Sequence, residues 1–264
     1  MIDVYRALFV GQIQAASQYR VQSILWMLFA VIRPVIFLAA WVAVAGAQGG
    51  RVGSYDVRDF AAYYVALSLV ANLATSWNSY EFEFEIRMGR LSPKLLRPLH
   101  PIHYAVVENI VWKMTTIIPM LVVLGFIAAT FDARFRSTPA HLALFVPSVV
   151  LGAALAFLAG WVVATTAFWT TRVHAVSTLW DRAAFIFAGQ IAPLALLPGP
   201  LQTIALVLPF GYMLGVPAEI LQGAVDVPTA ILLIAVQAVW LGIFYALLQV
   251  VWRVGVRQYT GVGA

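Results

Sequence analysis

Five stretches of this chain, 23–47, 60–80, 104–130, 141–169 and 229–252, each stay apolar for about twenty residues or more, the length a helix needs to cross roughly 30 Å of hydrocarbon. That feature decides the fold class. Helices and closed barrels are the only backbones that satisfy their own hydrogen bonds inside lipid, and barrel strands alternate apolar with polar residues, which these stretches do not. The chain is therefore read as an all-α polytopic membrane protein. With 62% hydrophobic and only 10% charged residues, its 264 residues do not supply the polar surface of an ordinary soluble domain.

The segments between the spans are equally informative. Residues 1–22 carry an apolar stripe at Ile2, Tyr5, Phe9, Ile13 and Ala16, with Asp3, Arg6, Gln12, Gln14 and Gln18 elsewhere, the pattern of a helix lying in the membrane interface. The first span ends in Ala45-Gly46-Ala47, which looks like a signal-peptidase site, but the apolar run exceeds a signal-peptide core and is expected to be retained. Residues 48–59 form a polar loop, and 81–103 form a charged island holding Arg87, Arg90, Lys94 and Arg97. Prolines at 193, 198, 200, 209, 217 and 228 cut the next stretch into pieces too short to cross a bilayer. A fifth span is thus expected over 181–198, followed over 199–228 by a hairpin of short helices that dips into the membrane where protein covers its backbone.

Six spans with both termini inside place Arg6, Arg20, Arg87, Arg90, Lys94, Arg97, Arg172, Arg182, Arg253 and Arg257 on the cytoplasmic side. Only Arg51, Arg58, Arg134 and Arg136 fall outside, and Arg33 and Lys113 lie within spans. This imbalance orients the chain with its termini and the charged island in the cytoplasm. It also accounts for the net charge of +5, so no nucleic-acid partner is expected. The chain has no cysteine, which excludes disulfides and thiolate chemistry.

Within the island, Leu91, Leu95 and Leu96 line one face of a short helix predicted over 91–99, with Lys94 and Arg97 turned to solvent and Pro93 and Pro98 bracketing it. A capped, basic, amphipathic helix of this kind is a surface that another protein can grip.

The segment GRLSPKLLRPLHPIH, taken with PLALLPGPLQTIALVLPFGYMLGVPAEILQG, resembles the type-two ABC exporter permeases. The nearest branch is that of small six-helix permeases often encoded in pairs beside one ATPase, similar to daunorubicin-resistance and O-antigen exporters. The resemblance covers essentially the whole chain, as a single permease domain over 1–264. It implies an N-terminal interfacial helix, a cytoplasmic coupling helix, an extracellular re-entrant hairpin before the last span, and a dimer with a second or homologous permease. By the same resemblance, the dimer would ride on ATP-binding cassette subunits in the cytoplasmic membrane of a prokaryote. Carried onto this chain, the ATPase-coupling residues are Arg90, Leu91, Pro93, Lys94, Leu95, Leu96 and Arg97. The second and fifth helices would line the path of an amphipathic, drug-like or lipid-linked substrate, with Asn72, Ser76, Trp77, Phe185, Phe187 and Gln190 along it. ATP and Mg would be bound by the partner: the only lysines, Lys94 and Lys113, follow Pro93 and Trp112 and make no Gly-Lys-Ser/Thr phosphate loop.

Arg33, ten residues into the first span, is either functional or snorkels to the headgroups. Glu108 and Lys113 read as boundary residues, and Gly152, Ala156 and Gly160 permit close helix approach. His100, His103, His141 and His174 make no zinc-binding spacing. The alternative of a stand-alone secondary transporter or channel would favour a carboxylate at mid-membrane, and no Asp or Glu lies near the centre of any span. A membrane enzyme would need a nucleophile, base and orienter that one membrane face cannot assemble here.

Overall fold

The computed structural model describes residues 2–170 and 173–259; Arg172 and the side chain of Arg20, both among the predicted inner cations, lie outside the described set. Helix α1 (Ile2–Gln18) bends at Tyr19 into α2 (Arg20–Ala47), and a two-stranded ribbon, β1 (Arg51–Val52) with β2 (Tyr55–Asp56), leads into α3 (Val57–Ala74). Then follow α4 (Asn78–Arg87), α5 (Leu91–Leu95), α6 (Ile102–Thr130), α7 (Pro139–Thr165) and α8 (Val173–Phe187). Three short helices, α9 (Gly199–Val207), α10 (Phe210–Met213) and α11 (Gly215–Gln222), precede the long α12 (Val227–Gly255).

Among the described residues, five helical stretches are long and apolar enough to span a membrane: Val21–Ala47, Val57–Arg87, Ile102–Thr130, Pro139–Phe168 and Val227–Gln258. They correspond to five of the six expected spans. The sixth, expected over 181–198, is not one helix. Helix α8 already includes Val173, inside what reads as a return loop; Val173 and Ser177 are buried one turn apart, and the helix packs on α4 and α7. It stops at Phe187, where Gly189 takes a φ of +79° and Pro193 follows, giving 15 residues and about 22 Å.

The second span also differs from expectation. The backbone breaks between α3 and α4, with Thr75 at φ −59° and ψ 137°. The Thr75 hydroxyl donates back to Ala71 O at 2.7 Å, while the Thr75 carbonyl accepts from Asn109 Nδ2 at 3.1 Å and Lys113 Nζ at 3.3 Å. Side chains of α6 therefore satisfy the group that the break frees. Lys113 is a partner for this broken helix, and residues 81–87, read as loop, are helical in α4.

Helix α3 is the centre of the packing, with Phe60, Ala61, Ala62, Tyr63 and Ala66 all fully buried. Its phenols reach the turn after α8: Tyr63 donates to Gly189 O and Tyr64 to Ile191 O, each at 2.7 Å, and Trp41 of α2 donates to the same Ile191 carbonyl at 2.7 Å. The proline-cut hairpin lies against α3 and α7, with α11 almost wholly buried, so protein covers this irregular backbone. Gly152 allows that approach, since a Cβ there would stand 2.9 Å from Met213 O. Deeper still, Gln237 of α12 donates to Tyr212 O at 2.8 Å and Ser148 O at 3.1 Å and accepts from Ser148 Oγ at 3.0 Å. One side chain thus ties α7, α10 and α12.

In α1 the half-buried residues are Tyr5, Leu8, Phe9, Gln12 and Ala16, a helical stripe that faces α6. Ile2 and Ile13 of the predicted stripe stay exposed. Tyr5 reaches His103 Nδ1 at 2.5 Å, joining this helix to the charged island.

Candidate functional site

The short helix of the island is five residues long rather than nine, and Pro93 sits at its third position instead of before its start. A turn with Gly89 at φ +67° launches it, and Arg90 N donates to Glu85 O at 2.8 Å. Leu91 is fully buried in an apolar cluster with Phe82, Trp161, Ala164 and Leu248, and Leu95 packs against the same cluster. Aromatic rings build this knot: Phe82 lies 5.0 Å from Trp161, 5.5 Å from Phe168 and 5.8 Å from Trp252, centroid to centroid. Ser92 Oγ meets the Tyr259 hydroxyl at 2.9 Å, so the segment after α12 holds the helix as well.

Lys94 does not face solvent. It pairs with Glu85, sits 5.1 Å over the Tyr104 ring, and lines a recess with Glu81, Glu85 and Glu108. The predicted seven-residue contact set therefore divides. Leu91, Lys94 and Leu95 turn into the chain's own bundle, whereas Arg90, Pro93, Leu96 and Arg97 are exposed, Leu96 at 88%. The spacing of the exposed four, at steps of three, three and one, is that of one helical face. An apolar i, i+4 pair such as Leu91 and Leu95 marks a buried side without revealing whether the burial is internal or against a partner.

The six predicted path residues separate too. Asn72 is buried between α3 and α6, its Nδ2 3.4 Å from Thr116 Oγ1. Ser76 lies opposite Gly160, where a Cβ would come within 3.4 Å of its hydroxyl. Trp77 is 47% exposed and packs edge-on to Trp26 at 6.0 Å. Phe185 meets Phe37 at 5.7 Å and carries the Arg33 guanidinium 5.3 Å above its ring, so Arg33 has a partner inside the chain. Phe187 stacks towards Phe210 and packs against a buried cluster that includes Leu194 and Tyr212, and Gln190 is half-buried in the turn after α8. A cavity of about 940 Å³ lies elsewhere, among Leu73, Val106, Lys113, Phe157, Leu241 and Tyr245, and none of the six borders it.

The bundle end opposite α5 holds a polar cluster that the spacing of the sequence did not reveal. Asp56 caps α3, accepting from Arg58 N at 2.9 Å and Asp59 N at 3.0 Å, and Asp59 returns a bond to Asp56 N at 3.1 Å. Arg134 pairs with Asp56, Arg136 with Asp59, and Arg58 with Asp132 at 2.8 Å. His141 Nδ1 lies 2.8 Å from Thr138 Oγ1, and its Nε2 lies 2.7 Å from Val225 O, which joins the start of α7 to the loop before α12. Glu219 of α11 is buried and accepts from Leu194 N at 2.9 Å. Burial pushes its carboxyl up to about 7, against the lowering effect of the Leu194 and Ala195 amides. One signal pointed to it: Glu219 is the single charged residue between Arg182 and Asp226.

The arrangement is that of a multi-pass membrane protein with an anchored short helix at one end and a covered, proline-broken hairpin at the other. No curated protein in the comparison matches the chain. A family model described as "ABC-2 family transporter protein" matches residues 20–263, nearly the whole length. This chain belongs to the ABC-2 family of transporter proteins.

Proposed function

We propose that this chain is the permease subunit of an ATP-driven exporter in a prokaryotic cytoplasmic membrane. It crosses the membrane six times, α8 with the turn after it providing the fifth crossing, and keeps both termini in the cytoplasm. A separate ATP-binding cassette ATPase supplies ATP and Mg, and a second or homologous permease completes the dimer. The observation that carries this reading is the division of the island helix into an anchored face and an exposed one. Leu91 and Leu95 fix it to α4, α7 and α12, while Arg90, Pro93, Leu96 and Arg97 stand outward. A push on the outward face is transmitted to helices that cross the bilayer, because close-packed interiors pass displacement on rather than absorb it. At the opposite end, Gln237 links two of those helices to α10 of the proline-broken hairpin, the element that opens outward for an amphipathic, drug-like or lipid-linked substrate. Trp77, Phe185 and Phe187 are the aromatic residues assigned to that path, with Trp26 packed on Trp77 and Phe37 on Phe185.

The test is to purify the chain with its ATPase and measure complex formation and hydrolysis. The double variant Leu96→Asp, Arg97→Glu is expected to lose both while the permease keeps its unfolding temperature. A variant that retains full complex formation and stimulated hydrolysis contradicts the proposal.

A further inference from the structure

At the bundle end opposite α5, a cavity of about 80 Å³ is lined by Ser54, Tyr55, Asp59, Arg136, Glu219 and Gln222, together with small apolar residues. Three buried polar atoms of its lining side chains meet no hydrogen-bonding partner: the Tyr55 hydroxyl, Asp59 Oδ1 and Gln222 Oε1. Their residues are 4%, 1% and 2% exposed. Arg134 Nε comes no closer than 3.8 Å to Asp59 Oδ1, outside hydrogen-bond range. The Gln222 amide has no freedom to flip without loss, because its Nε2 donates to the Asp59 carbonyl at 2.8 Å, which leaves Oε1 over. Two of the three atoms can only accept. The third belongs to a phenol that burial, and then the charges of Glu219 and Asp59, keep protonated, so its lone pairs are available to the cavity.

Unmet acceptors buried together call for a donor or a positive charge. The charge count says how much. Asp59 and Glu219 bring two negative charges when ionised, and Arg136, held on Asp59 Oδ2, brings one positive. Arg134 and Asp56 cancel each other at the rim. One negative charge is left over. Oxygen-only ligands suit hard cations, and the adjacent Arg136 weighs against a divalent ion.

We propose that this cavity binds one monovalent metal cation, with Asp59 Oδ1, Gln222 Oε1 and the Tyr55 hydroxyl as ligands and Glu219 as the second negative charge. The ion joins β2, the first turn of α3, and α11, and so fastens the proline-broken hairpin to the central helix. The site does not depend on how the island helix is used.

The experiment uses the purified full-length chain in detergent near pH ~8, where Glu219 is ionised. Unfolding temperature is followed in sodium, potassium or choline chloride at equal ionic strength. At about ten times its dissociation constant, the preferred alkali ion is expected to raise the midpoint by roughly 3–6 °C over choline, saturating with concentration. Glu219→Gln should abolish the increment, and Tyr55→Phe should move the half-saturating concentration upward. Asp132→Asn, at an exposed carboxylate paired with Arg58, should leave the increment intact. Equal midpoints in all three salts would mean that the cavity takes water alone and would overturn the proposal. An increment that persists undiminished in both Glu219→Gln and Tyr55→Phe would overturn it as well.

Discussion

Replacing Gln237 by leucine tests how the proline-broken hairpin is held. Gln237 is fully buried, and its amide makes three hydrogen bonds to two elements: two with Ser148 of α7 and one with Tyr212 of α10. Leucine nearly fills the same volume, so the change removes polar contacts without opening a large cavity. Hydrogen bonds between helices in a membrane average about 0.6 kcal/mol, which puts the loss of three at about 2 kcal/mol. For a chain of this size that is a fall of roughly 4–8 °C in unfolding temperature. Thermal unfolding in detergent, followed by tryptophan fluorescence, reads it directly. Local opening should rise more than global instability, so hydrogen exchange at α10 and α11 is expected to quicken while that of α3 changes little. An unfolding temperature for Gln237→Leu equal to or above that of the parent chain would refute the reasoning, because the amide would then not be holding α10 on α7.

Two further perturbations address the two ends of the molecule. Leu91→Ala empties part of a fully buried site in the aromatic knot and should cost about 2–5 kcal/mol, whereas Leu96→Ala at an 88% exposed position should leave thermal stability unchanged; equal effects on unfolding would contradict the assignment of faces. Glu219 predicts a pH dependence: its folded value of about 7 lies above the unfolded ~4.3, so the folded state holds the proton in between. This contribution to stability is therefore fully present below that lower value and lost as pH rises towards 7, by about 4 kcal/mol. Unfolding stability measured against pH in choline chloride should fall less steeply over this range in Glu219→Gln than in the parent chain, and a slope unchanged by the substitution would count against it.

Most of the long helices were legible because their signals are local. Helix α6 begins two residues before the expected span and ends with it, and α12 exceeds its expected span by two or three residues at each end. Apolar run length and the prolines at 200 and 228, both in the first turns of helices, carried that information. The break after α3 was not legible. Thr75, Ser76 and Trp77 contain neither glycine nor proline, and the break persists because Asn109 and Lys113, more than thirty residues away, satisfy the Thr75 carbonyl. The extent of the fifth helix was not legible either: apolar composition continues past Phe187, but Gly189 and Pro193 end the helix there. At the island, the leucine pattern located the helix but put Leu96 on its apolar face and Lys94 in solvent, whereas Leu96 is exposed and Lys94 turns inward to Glu85. Asp59 and Glu219 lie 160 positions apart and meet only through the packing of α11 on α3, which no spacing in the chain announces.

The central claim is that an ATPase engages the outward face of the island helix. Because the chain contains no cysteine, a single Leu96→Cys substitution gives one unambiguous thiol for cross-linking. Paired with a cysteine introduced into the permease-facing surface of the ATPase subunit, it should form a disulfide in the assembled complex, and ATP binding should change the rate of its formation. A control thiol at Leu201, in the exposed hairpin helix α9, should form none. Absence of the Leu96 cross-link in a complex that still hydrolyses ATP, or a cross-link from position 201 instead, would contradict the account.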